Sequence, residues 1–346
     1  MGRHDCIILY NEPRELWAEG SEEQLYPATV LRADVPSIEE SLRAAGFNPC
    51  VLSATHFSKD LVNSLLKTAP RFVFNLCEEI NGTSELEMCL AGLLDLMGIP
   101  YTGSGPFALS LALHKFRVKQ ILRAAGIPVA RGYLDHPGRH HGARSIHFPV
   151  IVKPAHEDGS YGINSHSVCR DIEQLERQIS YIRDVYRQEA LVEEYLEGRE
   201  FNVSIVGDRD PEVLAISEID FSGMPEEEPK IVSYRAKWDE QSPMYAATVP
   251  VCPADIPKRL ANRVRDLAIR SYRCVECRDY GRVDIRTDAW EIPYVLEVNP
   301  NPDISPQAGF ARAAEVAGYS YSDIILRISR AALERGAKST AAVYAF

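Results

Sequence analysis

Apolar runs alternate with amphipathic segments over the first hundred residues. Three short runs suit buried strands: CIILY (6–10), CVLS (50–53) and FVFNL (72–76). Two segments have helical spacing and end at glycines: 38–45 before Gly46, and 86–97 before Gly98. Alternating strand and helix signals predict a small parallel α/β domain, which we place at residues 1–105.

The next patterns predict a central domain at 106–193. Leu111, Val118 and Ala125 indicate one helix that ends at Gly126 and carries Lys115 in its early part. An apolar strand then ends in Lys153, and a capping box, Asp171 with Gln174, precedes a second amphipathic helix.

The remaining residues, 194–346, predict a third domain of mixed composition. FNVSIVG and EVLAISEIDF have the pattern of antiparallel strands, and a helix follows around 260–271. A hairpin comes next at 280–302, and a last helix around Ile324 and Ile328 is expected to end at Gly336. The predicted fold class is α/β (α+β).

The hairpin has one polar face. Period-two alternation places Arg282, Asp284 and Arg286 on one side of the first strand, and Glu297 and Asn299 on one side of the second. This face is either solvated or chemical. Two carboxylates and an amide carbonyl are hard oxygen ligands, which suit Mg²⁺ held jointly with substrate phosphates.

Three lysines lie where phosphates could meet them. Lys115 is on a helix, Lys153 ends a strand before the flexible Asp-Gly-Ser-Tyr-Gly loop, and Lys237 lies in SYRAKW. Each alone is typical of an exposed lysine. Together with an oxygen-ligand hairpin, they indicate a triphosphate held by ammonium groups on one side and Mg²⁺ on the other.

Composition excludes several functional classes. The net charge of −11 disfavours nucleic acid as a partner. No apolar run approaches a membrane span and no signal pattern opens the chain, so we expect a cytoplasmic protein.

A single CxxC, Cys274 and Cys277, is a weak sign of zinc or redox use. Histidines crowd a basic loop and are read as solvated, with metal binding a minor alternative: 136, 140, 141 and 147.

The order of the motifs resembles the ATP-grasp enzymes, and within them the D-alanine–D-alanine ligase group. The likeness runs from about residue 72 to residue 328. It rests on seven segments: GLLDLMGIPYTGSGPFALSLALHK, FPVIVKPAHEDGSYGI, LVEEYLEGREF, YRAKW, GRVDIR, LEVNPNP and GFARAAEVAGYSYSDII. The resemblance implies an ATP-grasp fold of three domains, in which the second and third clasp ATP.

The resemblance also implies roles for individual residues. Arg282, Ser160 and Lys237 would be catalytic, with Arg282 stabilising the tetrahedral intermediate. Asp284, Glu297 and Asn299 would bind two Mg²⁺ ions, for which Mn²⁺ could substitute. The ATP contacts would be Lys115, Lys153 and Lys237 on phosphates, Gly159, Ser160 and Gly162 in the covering flap, Glu193, Tyr195 and Leu196 at adenine, and Glu200 at the ribose.

The positions expected to meet amino acids depart from the group. A flap serine is replaced by Gly159, a tyrosine by Trp238, and the serine for the second carboxylate by Ala308. The first loop, NEPRELWAEG, lacks the usual glutamate motif. Residues that could contact substrates instead are Glu12, Glu78, Trp238, Asp303 and Ala308.

The sequence therefore predicts an ATP-dependent carboxylate–amine ligase that forms an amide through an acylphosphate, on amino-acid-like substrates other than D-alanine. Its partners would be a small carboxylate and a small amine, and the resemblance leaves a homodimer open. One alternative is a true D-alanine–D-alanine ligase of cell-wall synthesis. Another, of a different class, is a non-catalytic ATP-binding regulator.

Overall fold

The structure is a computed structural model that describes residues 4–12, 20–21, 34–135 and 146–343. Most of the first loop (13–19) and three of the four loop histidines (136, 140 and 141) lie outside the described residues. Among the residues described, no helix combines the length and the apolar character that a membrane span requires.

Twelve strands are described. They are β1 (Cys6–Tyr10), β2 (Pro49–Ser53), β3 (Phe72–Asn75), β4 (Gly132–Asp135), β5 (Val150–Pro154), β6 (Val168–Cys169), β7 (Ala190–Glu194), β8 (Glu200–Val206), β9 (Glu212–Asp220), β10 (Val249–Val251), β11 (Tyr280–Thr287) and β12 (Pro293–Asn299).

Eleven α-helices are described. They are α1 (Asp34–Ala44), α2 (Lys59–Thr68), α3 (Glu87–Leu96), α4 (Pro106–Leu113), α5 (Lys115–Ala124), α6 (Ile172–Tyr181), α7 (Tyr234–Trp238), α8 (Pro243–Ala246), α9 (Lys258–Cys274), α10 (Gly309–Val316) and α11 (Tyr321–Val343).

The described strands form three sheets. The first is parallel, in the order β2-β1-β3, as the alternating pattern near the start of the chain predicts. The second is antiparallel, in the order β4-β7-β5-β6. The third is antiparallel, in the order β10-β9-β8-β11-β12. The domain boundaries after residues 105 and 193 stay a prediction.

Apolar faces fix the sheets to the helices. Val283, Ile285 and Val298, from the apolar side of the hairpin, are buried against α9, α4 and α5. Burying this side leaves the opposite face of β11 and β12 turned away from the core, because successive side chains of a strand alternate. The packing therefore fixes which residues of the hairpin can line a cavity.

Two helix predictions were wrong in detail. The single helix expected from Leu111 to Ala125 is two helices, because His114 has a non-helical backbone and makes Lys115 the first residue of α5. The last helix does not end at Gly336 but continues to Val343. A β-carbon at Gly336 would lie 2.2 Å from Cγ of Pro100, so this glycine allows close packing of α11 and does not end it.

Candidate active site

A cavity of about 610 Å³ lies between the four-stranded and five-stranded sheets. One wall comes from β5 and β7, and the other from β8, β9, β11 and β12. Most predicted nucleotide and metal positions line it: Lys115, Lys153, Gly159, Ser160, Glu193, Tyr195, Leu196, Glu200, Lys237, Arg282, Asp284, Glu297 and Asn299. Segments far apart in sequence thus meet at one site.

The register of the hairpin brings its polar residues together. Arg282 lies opposite Asn299, and Asp284 lies opposite Glu297, in the antiparallel pair of β11 with β12. On the other side, β8 places Asn202 opposite Asp284, and the Asn202 amide donates to Oδ1 of Asp284 at 2.8 Å. The predicted shared polar face of the hairpin is confirmed.

Arg282 and Asp284 form a forked ion pair on this face. Nε and an Nη of Arg282 each donate to one oxygen of Asp284, both at 2.8 Å. Burial raises the pKa of Asp284, Arg282 opposes that rise, and the neighbouring Glu297 adds to it. The two facing carboxyl groups therefore cannot both ionise freely without further positive charge.

Glu297 supplies the negative charge at the centre of a cationic group. Burial raises its pKa, but Lys115, Lys153, Arg282 and Lys237 outweigh that effect and lower the pKa of Glu297 to about 2. Within the described residues its carboxylate makes no ion pair closer than 4.0 Å. Its oxygens are thus ionised and available at neutral pH.

Lys153 shares a buried carboxylate with a second lysine that sequence reasoning missed. Nζ of Lys153 lies 2.8 Å from Oε2 of Glu193, and Nζ of Lys119 lies 2.5 Å from Oε1. Glu193 is only 2% exposed, and burial raises its pKa, but the two lysines lower it overall. If Lys153 moves to a phosphate, Lys119 remains to balance Glu193.

Residues 157–162 form a loop that lines the cavity with all its residues except Gly162. Lys115 crosses from α5 and donates to the Glu157 carbonyl, and it lies 2.7 Å from Oδ1 of Asp158. Ser160 has a positive φ of 66°, and so does Gly162, at 72°. A β-carbon at Gly162 would lie 2.5 Å from Cγ of Pro154, so glycine is required there.

Trp238 ties this loop to α7. Its indole nitrogen donates to the carbonyl oxygen of Gly159 at 2.9 Å. Any side chain at residue 159 would approach the ring of Tyr161. Two of the three positions that depart from the group thus contact each other, and neither offers a hydroxyl. Lys237, next to Trp238, has a pKa lowered by burial and by Arg282.

The remaining substrate candidates are not brought into the cavity lining. Glu12 and Glu78 are exposed on the side of the parallel sheet, where Asn11 holds the backbone of Glu78. The carboxylate of Asp303 accepts a hydrogen bond from the backbone amide of Ser305, and Ala308 is the residue before α10. The lining includes two residues of α10 that were not predicted, Gly309 and Arg312.

The weak metal signals gain no support in the described part of the chain. Burial raises the pKa of Cys277 to about 12, so its thiol stays protonated at neutral pH. His147 is exposed. Nowhere among the described residues do three or more His, Cys, Asp or Glu side chains form a metal-binding group.

The D-ala D-ala ligase C-terminus family profile matches residues 124–329, which is more than half of the chain. The chain belongs to this family. Family membership makes it an ADP-forming ATP-grasp ligase, as the motif order predicted, and argues against a non-catalytic regulator.

Similar proteins extend the match beyond that segment. The ligase is 37% identical to the uncharacterized protein y4sG of Sinorhizobium fredii, over 73% of this chain and 72% of that protein. It is 31% identical to D-alanine–D-alanine ligase of Desulforudis audaxviator, over 80% and 86% of the two chains. A solved D-alanine–D-alanine ligase of Bacillus anthracis, complexed with ATP, shares the fold with a TM-score of 0.70, at 19% identity over 97% and 99% of the chains.

The residues of the ligase fit a divalent cation. Asp284 and Glu297 face each other across one strand pair, and Asn299 follows on the same face. All three present oxygen atoms, and the side-chain oxygen of Asn299 is held by the backbone amide of Asn301 at 3.0 Å. These three oxygen donors suit Mg²⁺, whose remaining coordination positions would be taken by water and by substrate phosphates.

Lys119 could have been found from helical spacing, since it lies four residues after Lys115 on one face of α5.

Replacing Lys119 with Met should change how stability depends on pH. Burial lowers the pKa of Lys119 to about 8, against 10.5 in its ordinary state. Between these values the unfolded chain binds more protons than the native one, so wild-type stability should rise with pH relative to Lys119→Met.

The unfolding free energy of wild type minus that of Lys119→Met should rise by up to about 3 kcal/mol between the two pKa values. Chemical denaturation of both proteins from about pH 8 to about pH 10 measures it, and Lys67→Met, at an exposed lysine of α2, should follow wild type. A constant difference between wild type and Lys119→Met would contradict the expectation.

Proposed function

We propose that the ligase joins a small carboxylate to a small amine through an acylphosphate, and that its substrates are amino-acid-like compounds other than D-alanine. The observation that carries this proposal is the cavity in which Lys115, Lys153, Lys237 and Arg282 surround Glu297. Such an array favours a group on which negative charge accumulates.

The proposed reaction has two steps. In the first, a carboxylate oxygen of one substrate bonds to the γ-phosphorus of ATP, and the bond from that phosphorus to the leaving oxygen of ADP breaks. In the second, the amine nitrogen bonds to the acyl carbon, the bond from that carbon to phosphate breaks, and the nitrogen loses a proton to solvent. The products are an amide, ADP and phosphate.

The residues of the chain would bind and orient the reactants. Lys115, Lys153 and Lys237 would hold the phosphates, and Ser160 in the covering loop would exclude water. Arg282 would stabilise the oxyanion of the tetrahedral intermediate, and Asp284 would hold its guanidinium in place. Asp284, Glu297 and Asn299 would hold Mg²⁺, which, when bound, neutralises charge on the transferred phosphoryl group.

The choice of substrates other than D-alanine rests on the contact of Trp238 with Gly159. In the group, hydroxyl side chains at these positions belong to the network that holds the ammonium of the first D-alanine. Here an indole donates to a backbone carbonyl instead. An ammonium bound at this point would lose charge-assisted hydrogen bonds worth about 1.5–3 kcal/mol.

A second candidate is D-alanine–D-alanine ligation. It is supported by the names of relatives such as the D-alanine–D-alanine ligase of Bordetella avium, which is 29% identical over 84% of this chain. In that case other groups, such as Glu12 or Glu78, would have to bind the ammonium. Association of two copies of the chain stays a prediction.

One experiment distinguishes these candidates. The protein is incubated with ATP, Mg²⁺ and a mixed pool of amino acids and amines, and ADP release and the product mass are measured. We expect a product whose mass equals acid plus amine minus water, and little turnover with D-alanine alone. Rapid ADP and phosphate release with D-alanine alone would establish the second candidate. Substrate-dependent ADP release from no pair would overturn both, and Glu297→Gln protein serves as the background.

A further inference from the structure

Arg286 is a buried charge for which the reaction gives no role. It follows Arg282 and Asp284 on the polar face of β11 and also lines the cavity. It is 4% exposed, and its guanidinium lies near two rings, 5.1 Å from the centre of Tyr195 and 5.5 Å from that of Phe221. A cation so placed is rigid and costly to desolvate unless it is paired.

Its partner is Glu200, directly opposite on β8. The register of the two strands pairs these residues, and Nη1 of Arg286 donates to Oε2 of Glu200 at 2.9 Å. The other terminal nitrogen donates to the hydroxyl of Tyr195 and to the carbonyl of Lys230. Three acceptors therefore fix the orientation of the guanidinium, and through it that of one oxygen of Glu200.

Two polar atoms of this pair are left over. Nε of Arg286 is buried and has no hydrogen-bond partner among the described residues. The second oxygen of Glu200, Oε1, accepts no hydrogen bond within the same part of the chain. Glu200 lines the cavity, so its unpaired Oε1 is the atom of this pair that a hydrogen-bond donor of a ligand can meet.

We propose that Arg286 is a positioning residue that holds the Glu200 carboxylate toward the ribose hydroxyls of ATP. This inference rests on the proposed function, because it takes ATP as the occupant of the cavity. Arg286 itself need not touch the nucleotide. It keeps Oε2 occupied, so that Oε1 faces a hydroxyl donor in a fixed direction. Burial raises the pKa of Glu200 overall, and Arg286 opposes that rise.

The test compares nucleotides that differ only in the ribose. Calorimetry measures the dissociation constants of ATP, 2′-deoxyATP and 3′-deoxyATP for wild type, Arg286→Met and Glu200→Gln, with no substrates present. Arg286→Met should weaken ATP binding about tenfold, which is the usual effect of a lost charge-assisted hydrogen bond. For at least one of the two deoxynucleotides, the same variant should weaken binding by less than about threefold. The preference for ribose should thus shrink in both variants, and their effects should not add in the double variant.

Two further variants keep the test decisive. Arg199→Met removes a comparable Arg–Glu pair, with Glu218, at a site outside the cavity lining, and should leave the ribose preference unchanged. Arg286→Lys keeps the charge without the fork and should recover part of the preference, which also covers the case in which the Met variant fails to fold. Equal losses for ATP and both deoxynucleotides would overturn the inference. Failure of wild type to bind ATP at all would instead overturn the proposed function.

Discussion

Replacing Glu297 with Gln is expected to lower the rate of ADP release by at least about 10²-fold, the scale seen when groups that support a bound metal are lost. Glu297 faces Asp284 across the strand pair and is surrounded by Lys115, Lys153, Arg282 and Lys237. Glutamine keeps the shape of the side chain but removes the charge. It therefore lacks the anion that would bind Mg²⁺ and balance the four cations.

The fold should survive this change with lower stability. The pKa of Glu297 is lowered to about 2, so its ionised form stabilises the native state at neutral pH, and that contribution is lost as pH falls from about 4.5 toward 2. The variant should thus have a smaller unfolding free energy at pH 7 than wild type, with the same circular dichroism below its melting temperature.

The measurement is the rate of ADP release against Mg²⁺ concentration, at saturating ATP and substrates. Glu291→Gln, at an exposed glutamate in the turn of the same hairpin, is the matched control and should behave as wild type. The two-carboxylate metal site would be wrong if Glu297→Gln retained a near-normal rate at every Mg²⁺ concentration.

Local patterns were enough to predict the framework of this site. Alternation with period two placed Arg282, Asp284, Glu297 and Asn299 on one face, and the register of β11 with β12 follows from burying Val283 and Val298 on the other. The chain order of the three lysines then indicated a nucleotide. The first two inferences depend only on neighbours within a strand, and the third depends on the order of motifs along the chain.

Contacts between distant segments could not be predicted in this way. Nothing near Glu193 in the sequence indicates that Lys119 and Lys153 both reach its carboxylate, because the pairing depends on how α5 packs beside β5 and β7. Arg286 was visible as a polar residue of β11, but its partner Glu200 is set by the register with β8. The helix pattern also breaks at His114, whose Nδ1 lies 3.0 Å from Nδ1 of His156 in a distant segment.

The contact between Trp238 and Gly159 adds a physical reason for treating substrate choice separately from nucleotide binding. Most predicted nucleotide and metal positions line one cavity, whereas Glu12, Glu78, Trp238, Asp303 and Ala308 are outside its lining. A family can keep the chemistry of ATP and change the acceptor, because function is set by individual positions of a site and not by the fold.

Replacing Arg282 with Met should lower kcat by about 10²–10³-fold, the usual loss when one donor to a developing oxyanion is removed. Arg282 lies on β11 with its fork on Asp284, and its charge lowers the pKa of both Lys237 and Glu297. Methionine fills the space of the side chain but donates no hydrogen bond. Binding of ATP depends on the lysines in this proposal, so the dissociation constant of ATP should change by less than about threefold.

Single-turnover kinetics and ATP calorimetry separate these effects. Arg282→Lys keeps a charge without the planar fork and should recover only a small part of the rate, because its point charge cannot bridge Asp284 and the reacting oxygen together. Arg265→Met, at an exposed arginine of α9, controls for loss of a surface charge. If Arg282→Met lost ATP affinity and kept its rate at saturating ATP, Arg282 would be a nucleotide-binding residue and the oxyanion role would have to be withdrawn.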